Sequence, residues 1–298
     1  MTAALKGAEV DYTPCVPYFW RGYPRNEAFI WNSEEERLAF YLETLGVDFM
    51  LQFGVSHRQP PFRSWVENST AEKYPLLHSE LDTPKGKLEA VIKKTEDYQD
   101  EHIPFFSDWT VSRYVKPWIE NLEDVEKFAS IYLPPESPQI ANAKARLTNL
   151  QNFAQKWGVP IMGGGLFSLN AVIHLMGAEQ AVLASVEMPE VIDSLNQVIS
   201  SVDRRKLEVM LSLGVRIVLR NGWYDTTDFW APDQYETRLG GLFCFCQNLC
   251  IHYKLASTYP RSHRMSYPPK IDVDSISAWS GRLPWLWSDI AVRRLSLP

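Results

Sequence analysis

Four cysteines in 298 residues are too few for a disulfide framework, and three of them crowd between Cys244 and Cys250. No run of about 18 uninterrupted apolar residues occurs, so no transmembrane helix is expected. The opening residues, 1–10, hold no basic region followed by an apolar stretch, so no secretory signal is expected there either. These absences together make a reducing, cytoplasmic location the expectation. The formal charge of −6 supplies no general attraction to nucleic acid or to an anionic membrane, and neither is expected as a partner. No glycine-rich phosphate fingerprint follows a strand-like segment. Gly163-Gly164-Gly165 has the right neighbourhood for one but not the spacing, which leaves a dinucleotide fold little support. Neither a G-x-S-x-G elbow nor an H-E-x-x-H helix is present, which removes the commonest hydrolase readings.

Acidic residues become scarce partway along the chain. Glu236 is the last glutamate, and the segment 240–298 holds three acidic side chains (Asp272, Asp274, Asp289) against seven basic ones. That segment therefore carries about +4, while residues 1–239, with 23 basic and 33 acidic side chains, carry about −10. It is also rich in Ser, Pro and Trp and shows little helical periodicity. The chain divides accordingly into 1–239 and an atypical 240–298.

What the first part does contain is a helix that stops at Gly and passes into a short apolar strand, three times. Ser33 and Glu36 form a capping box, the helix runs to Gly46, and Val47–Phe53 follows as a strand. Ser137-Pro138 opens a second helix that ends at Gly158 before the strand Val159–Met162. Pro189 opens a third, which continues through Leu213, is capped by Gly214 and leads into the strand Val215–Arg220. Alternation of this kind is the grammar of an α/β fold with a parallel sheet. Between the units lie a hairpin around Thr83-Pro84-Lys85-Gly86, a short amphipathic helix over Leu122–Leu133, and two helical turns broken at Gly177. With a phosphate-binding doubly wound sheet disfavoured, the expected architecture is a (β/α)₈ TIM barrel, in which chemistry sits where strands end.

Strand ends therefore select the candidate residues. The first strand delivers Gln52, His57 and Arg58; the second delivers Gly163 and Gly164, which let a ligand approach the backbone closely. The third delivers the densest group: Arg220, Trp223, Tyr224, Asp225 and Asp228. Paired carboxylates there suit acid–base work or a cation, and the aromatics suit a flat ligand. The alternative for Asp225 or Asp228 is to N-cap a helix starting near Trp230. His57 and Arg58 also read as an ordinary solvated loop, and His174, on an apolar helix face, as a core histidine. Cys244, Cys246, Cys250 and His252 form C-x-C-x₃-C-x-H, four soft ligands suited to tetrahedral zinc, within an apolar run where cysteine also serves as a small hydrophobe.

Several blocks resemble a known family. Ala4-Leu5-Lys6-Gly7 with Asp11 and Pro14, LGVDFMLQFG (45–54), YVKPWIENLEDVEKF (114–128), GVPIMGGGLFSLNAVIHLMGAEQA (158–181) and GWYDTTDFWAPDQY (222–235) are similar, in that order, to blocks of the uroporphyrinogen decarboxylase superfamily. The resemblance covers roughly 2–239. It implies a (β/α)₈ barrel of uroporphyrinogen decarboxylase type, here incomplete or altered in its last two or three β/α units, with its pocket at the strand carboxyl ends. The superfamily contains cofactor-free porphyrinogen decarboxylases and zinc-dependent methyltransferases acting on corrinoid or thiol substrates. Where the decarboxylases carry an essential Asp, an active-site Tyr and a Ser, this chain has Val55, Ile173 and Asp225. Their arginine-bearing Gln-Ala-Gly-Arg-Tyr motif is absent, and four carboxylates on a porphyrinogen need basic partners.

The resemblance thus implies methyl transfer to or from a small-molecule, thiol or corrinoid substrate. It brings zinc as a candidate cofactor, a corrinoid protein as a candidate partner, and a homodimer. Two alternatives stand beside this: a decarboxylase-like lyase of altered specificity, and a catalytically inactive barrel whose end was replaced through a shifted reading frame or a retained intron.

Overall fold

A computed structural model describes residues 31–56, 60–68, 73–220, 222–235 and 237–238. The first helix, α1 (Glu34–Ala39), is started by the Ser33 hydroxyl, which accepts from the Glu36 N–H at 3.1 Å. Three glutamates in its first turn suit the positive end of the helix dipole. The expected reciprocal bond is shifted by one residue: the Glu36 carboxylate accepts from the backbone and side-chain nitrogens of Asn32 at 2.8 and 3.1 Å. The helix continues as a π-helical turn over Phe40–Thr44 and ends before Gly46, whose φ of 62° needs no Cβ. Strand β1 (Leu51–Gly54) follows.

Two further units repeat this plan. Helix α4 (Ser137–Trp157) has a capping box between Glu136 and Gln139 and a left-handed cap at Gly158, and leads into β6 (Ile161–Leu166). Helix α7 (Pro189–Ser212) is followed by Gly214, with φ of 92°, and β7 (Ile217–Arg220). The three strands pair in the order β1-β6-β7, all parallel. All three begin a few residues later than the sequence pattern suggests.

The segment between the first two units departs from the expected barrel. Strands β2 (Arg63–Glu67), β3 (Leu76–Thr83), β4 (Gly86–Lys93) and β5 (Tyr114–Lys116) form a separate antiparallel sheet in the order β2-β3-β4-β5. The described residues thus hold one three-stranded parallel sheet and one four-stranded antiparallel sheet, and no barrel of eight β/α units. The reason lies in two features. A two-residue turn joins β3 to β4, with the Thr83 hydroxyl donating to the Gly86 carbonyl at 2.6 Å, whereas parallel neighbours need a crossover of roughly a dozen residues or more. The strands also alternate: Leu77, Ser79, Leu81, Leu88, Ala90 and Ile92 are buried, while His78, Glu80, Lys87 and Glu89 occupy the other face. Such alternation suits a sheet with one wet face, and a barrel strand buried on both faces reads as a continuous apolar run.

The remaining helices are α2 (Asp108–Val111), α3 (Leu122–Ala129, capped by Asn121), α5 (Ser168–Met176) and α6 (Ala178–Glu187). The break expected at Gly177 is a bend of 111° between α5 and α6. A large core gathers Leu81, Phe105, Trp118, Phe128, Ile173 and Ile192, among others, around the antiparallel sheet. A second core gathers Phe53, Leu147, Leu166, Leu207 and Met210 around the parallel sheet. Among the described residues no single helix is long and apolar enough to cross a membrane.

Two positions make the packing testable. A Cβ on Gly163 would stand 2.7 Å from Met210 Sδ and 3.1 Å from Val215 Cγ1, so Gly163→Ala is expected to cost about 1–3 kcal/mol in urea unfolding, as overpacking does. In the loop after β4, the Asp97 carboxylate accepts from the Thr95 hydroxyl at 2.6 Å and from Arg113 at 2.8 Å. Those two donors, Thr95 first, hold its pKa down at about 2. A depressed carboxylate stabilises the fold above the ordinary aspartate range and loses that contribution as pH falls toward about 2. The melting-temperature difference between wild type and Asp97→Asn should therefore shrink as pH is lowered from 5 toward 2.

Candidate functional site

The parallel register brings the carboxyl ends of three strands together. Gln52 pairs with Met162, Phe53 with Gly163, and Gly54 with Gly164; on the other side Gly163 pairs with Val218, and Leu166 with Arg220. Four of the candidate positions thereby lie on one sheet: Arg220 at the end of β7, and Gln52, Gly163 and Gly164 within β1 and β6, the latter of which runs on past the glycines to Leu166. Gln52 is exposed and Gly163 is buried against α7. Gly164 is different: nothing lies within 4 Å of where its Cβ would be, so its backbone has open space beside it. Gly165 turns the chain with φ of 85°.

The loop after β7 is pinned to the helix after β6. The Tyr224 N–H donates to Asn170 Oδ1 at 3.0 Å, and Trp230 Nε1 donates to the Tyr224 carbonyl at 2.9 Å. Asp225 and Asp228 stand in unlike surroundings. Asp225 is 2% exposed, and its N–H donates to the Gly222 carbonyl. Asp228 is exposed, and its carboxylate accepts from the Thr226 hydroxyl at 3.2 Å. Trp223 is 36% exposed and Tyr224 half-buried, with the Tyr224 ring edge-on to His174 at 5.6 Å. His174 itself is a core histidine, 1% exposed, with Nε2 3.1 Å from Asn170 Nδ2.

His57 and Arg58 lie outside the described residues, as do Cys244, Cys246, Cys250 and His252; Arg220 enters only as the last residue of β7. Among the described residues no group of three or more His, Cys, Asp or Glu is arranged to hold a metal ion. No known protein family, curated protein or solved structure matches the chain. The family likeness consequently rests on the sequence blocks themselves.

One cluster behind the site was not singled out from sequence. Asp203 and Lys206, both on α7, are 1% and 4% exposed. The Asp203 carboxylate accepts from the Phe167 N–H at 2.8 Å, and Lys206 Nζ donates to the Tyr132 hydroxyl at 3.2 Å and to the Gly165 carbonyl at 3.4 Å. The two side chains thus grip the backbone at the point where β6 becomes α5. Burial pushes the Lys206 amine down, with the Asp203 charge opposing; burial pushes the Tyr132 hydroxyl up, with Asp203 adding to it. The carboxylate also occupies the start of α5, where a phosphate would sit in a nucleotide fold, so that helix end is already served from within. The sequence does carry a signal: Asp203 and Lys206 fall at helical spacing on the same stripe as Ile199, Val202 and Met210, an apolar face with charges in it.

Asp203→Ala takes the acceptor away from the Phe167 N–H and the opposing charge away from Lys206, and is therefore expected to lower unfolding free energy by about 1–3 kcal/mol, the paired change Asp203→Leu with Lys206→Met costing less than the sum of its parts. Denaturant melts of the single and paired variants measure both.

Proposed function

We propose that this chain binds a small organic molecule over the carboxyl ends of β1, β6 and β7 and transfers a methyl group to or from it, as the methyltransferase branch of the uroporphyrinogen decarboxylase superfamily does. The observation that carries the site is the register placing Gly54, the last residue of β1, beside Gly164, with the end of β7 paired two residues further along β6 at Leu166 and open space at Gly164. Backbone without side chains lets a ligand come close, and Trp223 and Tyr224, in the loop after β7, offer flat apolar surface for one. The likeness of GWYDTTDFWAPDQY (222–235) to that branch supports methyl transfer as the reaction.

In such a step a thiolate sulfur uses its electron pair to form the new C–S bond. The pair of the broken bond stays with the methyl donor. The chain's part is to hold the two reactants in line and keep water away from them. Zinc, where such enzymes use it, lowers the thiol pKa, and the ligands that the sequence offers for it are Cys244, Cys246, Cys250 and His252. Those residues lie outside the described ones, so no step is routed through them. A homodimer, a corrinoid protein as methyl donor and a cytoplasmic location belong to the same reading.

A second reading is favoured by one observation, the joint change of charge, composition and family likeness near Leu239. In it the chain is a non-catalytic relative whose segment after Leu239 was replaced through a shifted reading frame or a retained intron.

Purified protein given methylcobalamin as donor and a small thiol as acceptor separates the two. Methyl transfer, followed by the loss of methylcobalamin absorbance, should fall by about 100-fold in Gly164→Trp and be weakened in Trp223→Ala. A cooperatively melting protein with no transfer would overturn the methyltransferase reading. Turnover of uroporphyrinogen instead would replace it with a lyase.

A further inference from the structure

The outer edge of the antiparallel sheet is complementary to itself. β2 is the last strand on its side, paired only to β3 among the described residues. Its inward and outward backbone groups can be told apart. The Lys94 N–H donates to the Pro75 carbonyl at 2.7 Å, so those two residues are a hydrogen-bonded pair, and Leu77–Ile92 and Ser79–Ala90 repeat the pattern at alternate positions. His78 and Glu80 therefore turn their backbone groups toward β2, where Trp65 and Arg63 are their partners. Ser64 and Val66 are left with N–H and C=O groups aimed out of the sheet, and no backbone bond among the described residues uses them.

A row of unpaired strand groups is a template for another strand, and the side chains on β2 select which one. In Arg63-Ser64-Trp65-Val66-Glu67 opposite charges stand two residues to either side of Trp65. The Arg63 and Glu67 side chains are 72% and 56% exposed, although Arg63 is 3.4 Å from Glu80 and Glu67 is 3.0 Å from His78, both on β3. Trp65 and Val66 are 38% and 47% exposed, so apolar surface reaches the rim on both faces of the strand.

We propose that β2 pairs with β2 of a second copy of this chain, antiparallel about a twofold axis at Trp65. A sheet continued across a twofold axis has antiparallel strands at the join, and the contact uses one patch twice. Registers centred on Arg63 or Glu67 set like charges opposite each other, and those centred on Ser64 or Val66 shorten the overlap. Centred on Trp65, the strands overlap along their whole length. Ser64 then pairs with Val66 of the other copy on both sides of the axis, making about four backbone hydrogen bonds from groups already aimed outward. Arg63 faces Glu67 of the other copy twice. The contact is small, so the dimer is weak, with a Kd on the order of tens of micromolar. The pairing gives a homodimer its surface and does not depend on methyl transfer, so either reading can fail alone.

Sedimentation velocity of the intact chain from roughly 1 to roughly 200 µM reads the association, which should weaken as salt rises. Arg63→Glu alone and Glu67→Arg alone each set like charges across the axis and should weaken dimerisation about tenfold or more. An equimolar mixture of those two variants should dimerise again, because each meets the opposite charge in the other. Val66→Pro removes an outward N–H and none of the bonds to β3. It should abolish the dimer while the monomer keeps its fold, and it decides the matter if a charge reversal does not fold. A wild type that stays monomeric throughout, single reversals that dimerise as the wild type does, or a mixture that stays monomeric would overturn the pairing. So would a folded Val66→Pro variant that dimerises with unchanged strength.

Discussion

One helix joins the two larger hydrophobic cores among the described residues, and the rest of the described fold leans on it. The first half of α7 supplies Val191, Ile192, Leu195, Ile199 and Val202 to the core around the antiparallel sheet. Its second half supplies Leu207, Val209, Met210 and Leu211 to the core around the parallel sheet. Asp203 and Lys206 fall between those sets, at the changeover. A 24-residue helix buried on this scale has to bring any polar group it buries to a partner, and both find theirs in the backbone at the end of β6. The same few residues therefore fix the helix, the turn after β6 and the junction of the cores.

That arrangement explains why the strand ends make a candidate site. Gly163 admits Met210 so that α7 can lie close to β6, and Gly164 faces open space one residue later. Asn170, one turn into α5, reaches the loop after β7 and holds Tyr224 in place. Function in such folds is set by what projects from these ends rather than by the sheet beneath, so the site and the fold are separate inferences. The antiparallel sheet brings different chemistry, a wet face where opposite charges meet across strands and one histidine lies between two carboxylates.

Much of the architecture was legible in the chain itself. Helix, glycine and strand recur three times, and each copy yields one strand of the parallel sheet, because a left-handed glycine cap is a local event that needs no distant partner. The hairpin at Thr83–Gly86, the helix from Leu122 and the break at Gly177 are likewise local. A barrel needs eight such units and the pattern supplies three; residues 76–93 instead alternate with period two, which marks a sheet wet on one face.

The candidate site divides along the same line. Sequence order and turn chemistry determined that Gln52, Gly163, Gly164 and Arg220 belong to the short segments after the three glycine-capped helices, and that the segment 222–230 is a loop rich in chemistry. Only the tertiary structure decided that β6 runs on through its glycines to Leu166, that the three strands lie side by side, that Asp225 is buried while Asp228 is exposed, and that Asp203 and Lys206 turn inward to hold β6. The physical reason is range. Caps, turns and periodicity act over a few residues and are written where they act, whereas burial and charge pairing depend on segments far apart in sequence meeting across a packed core.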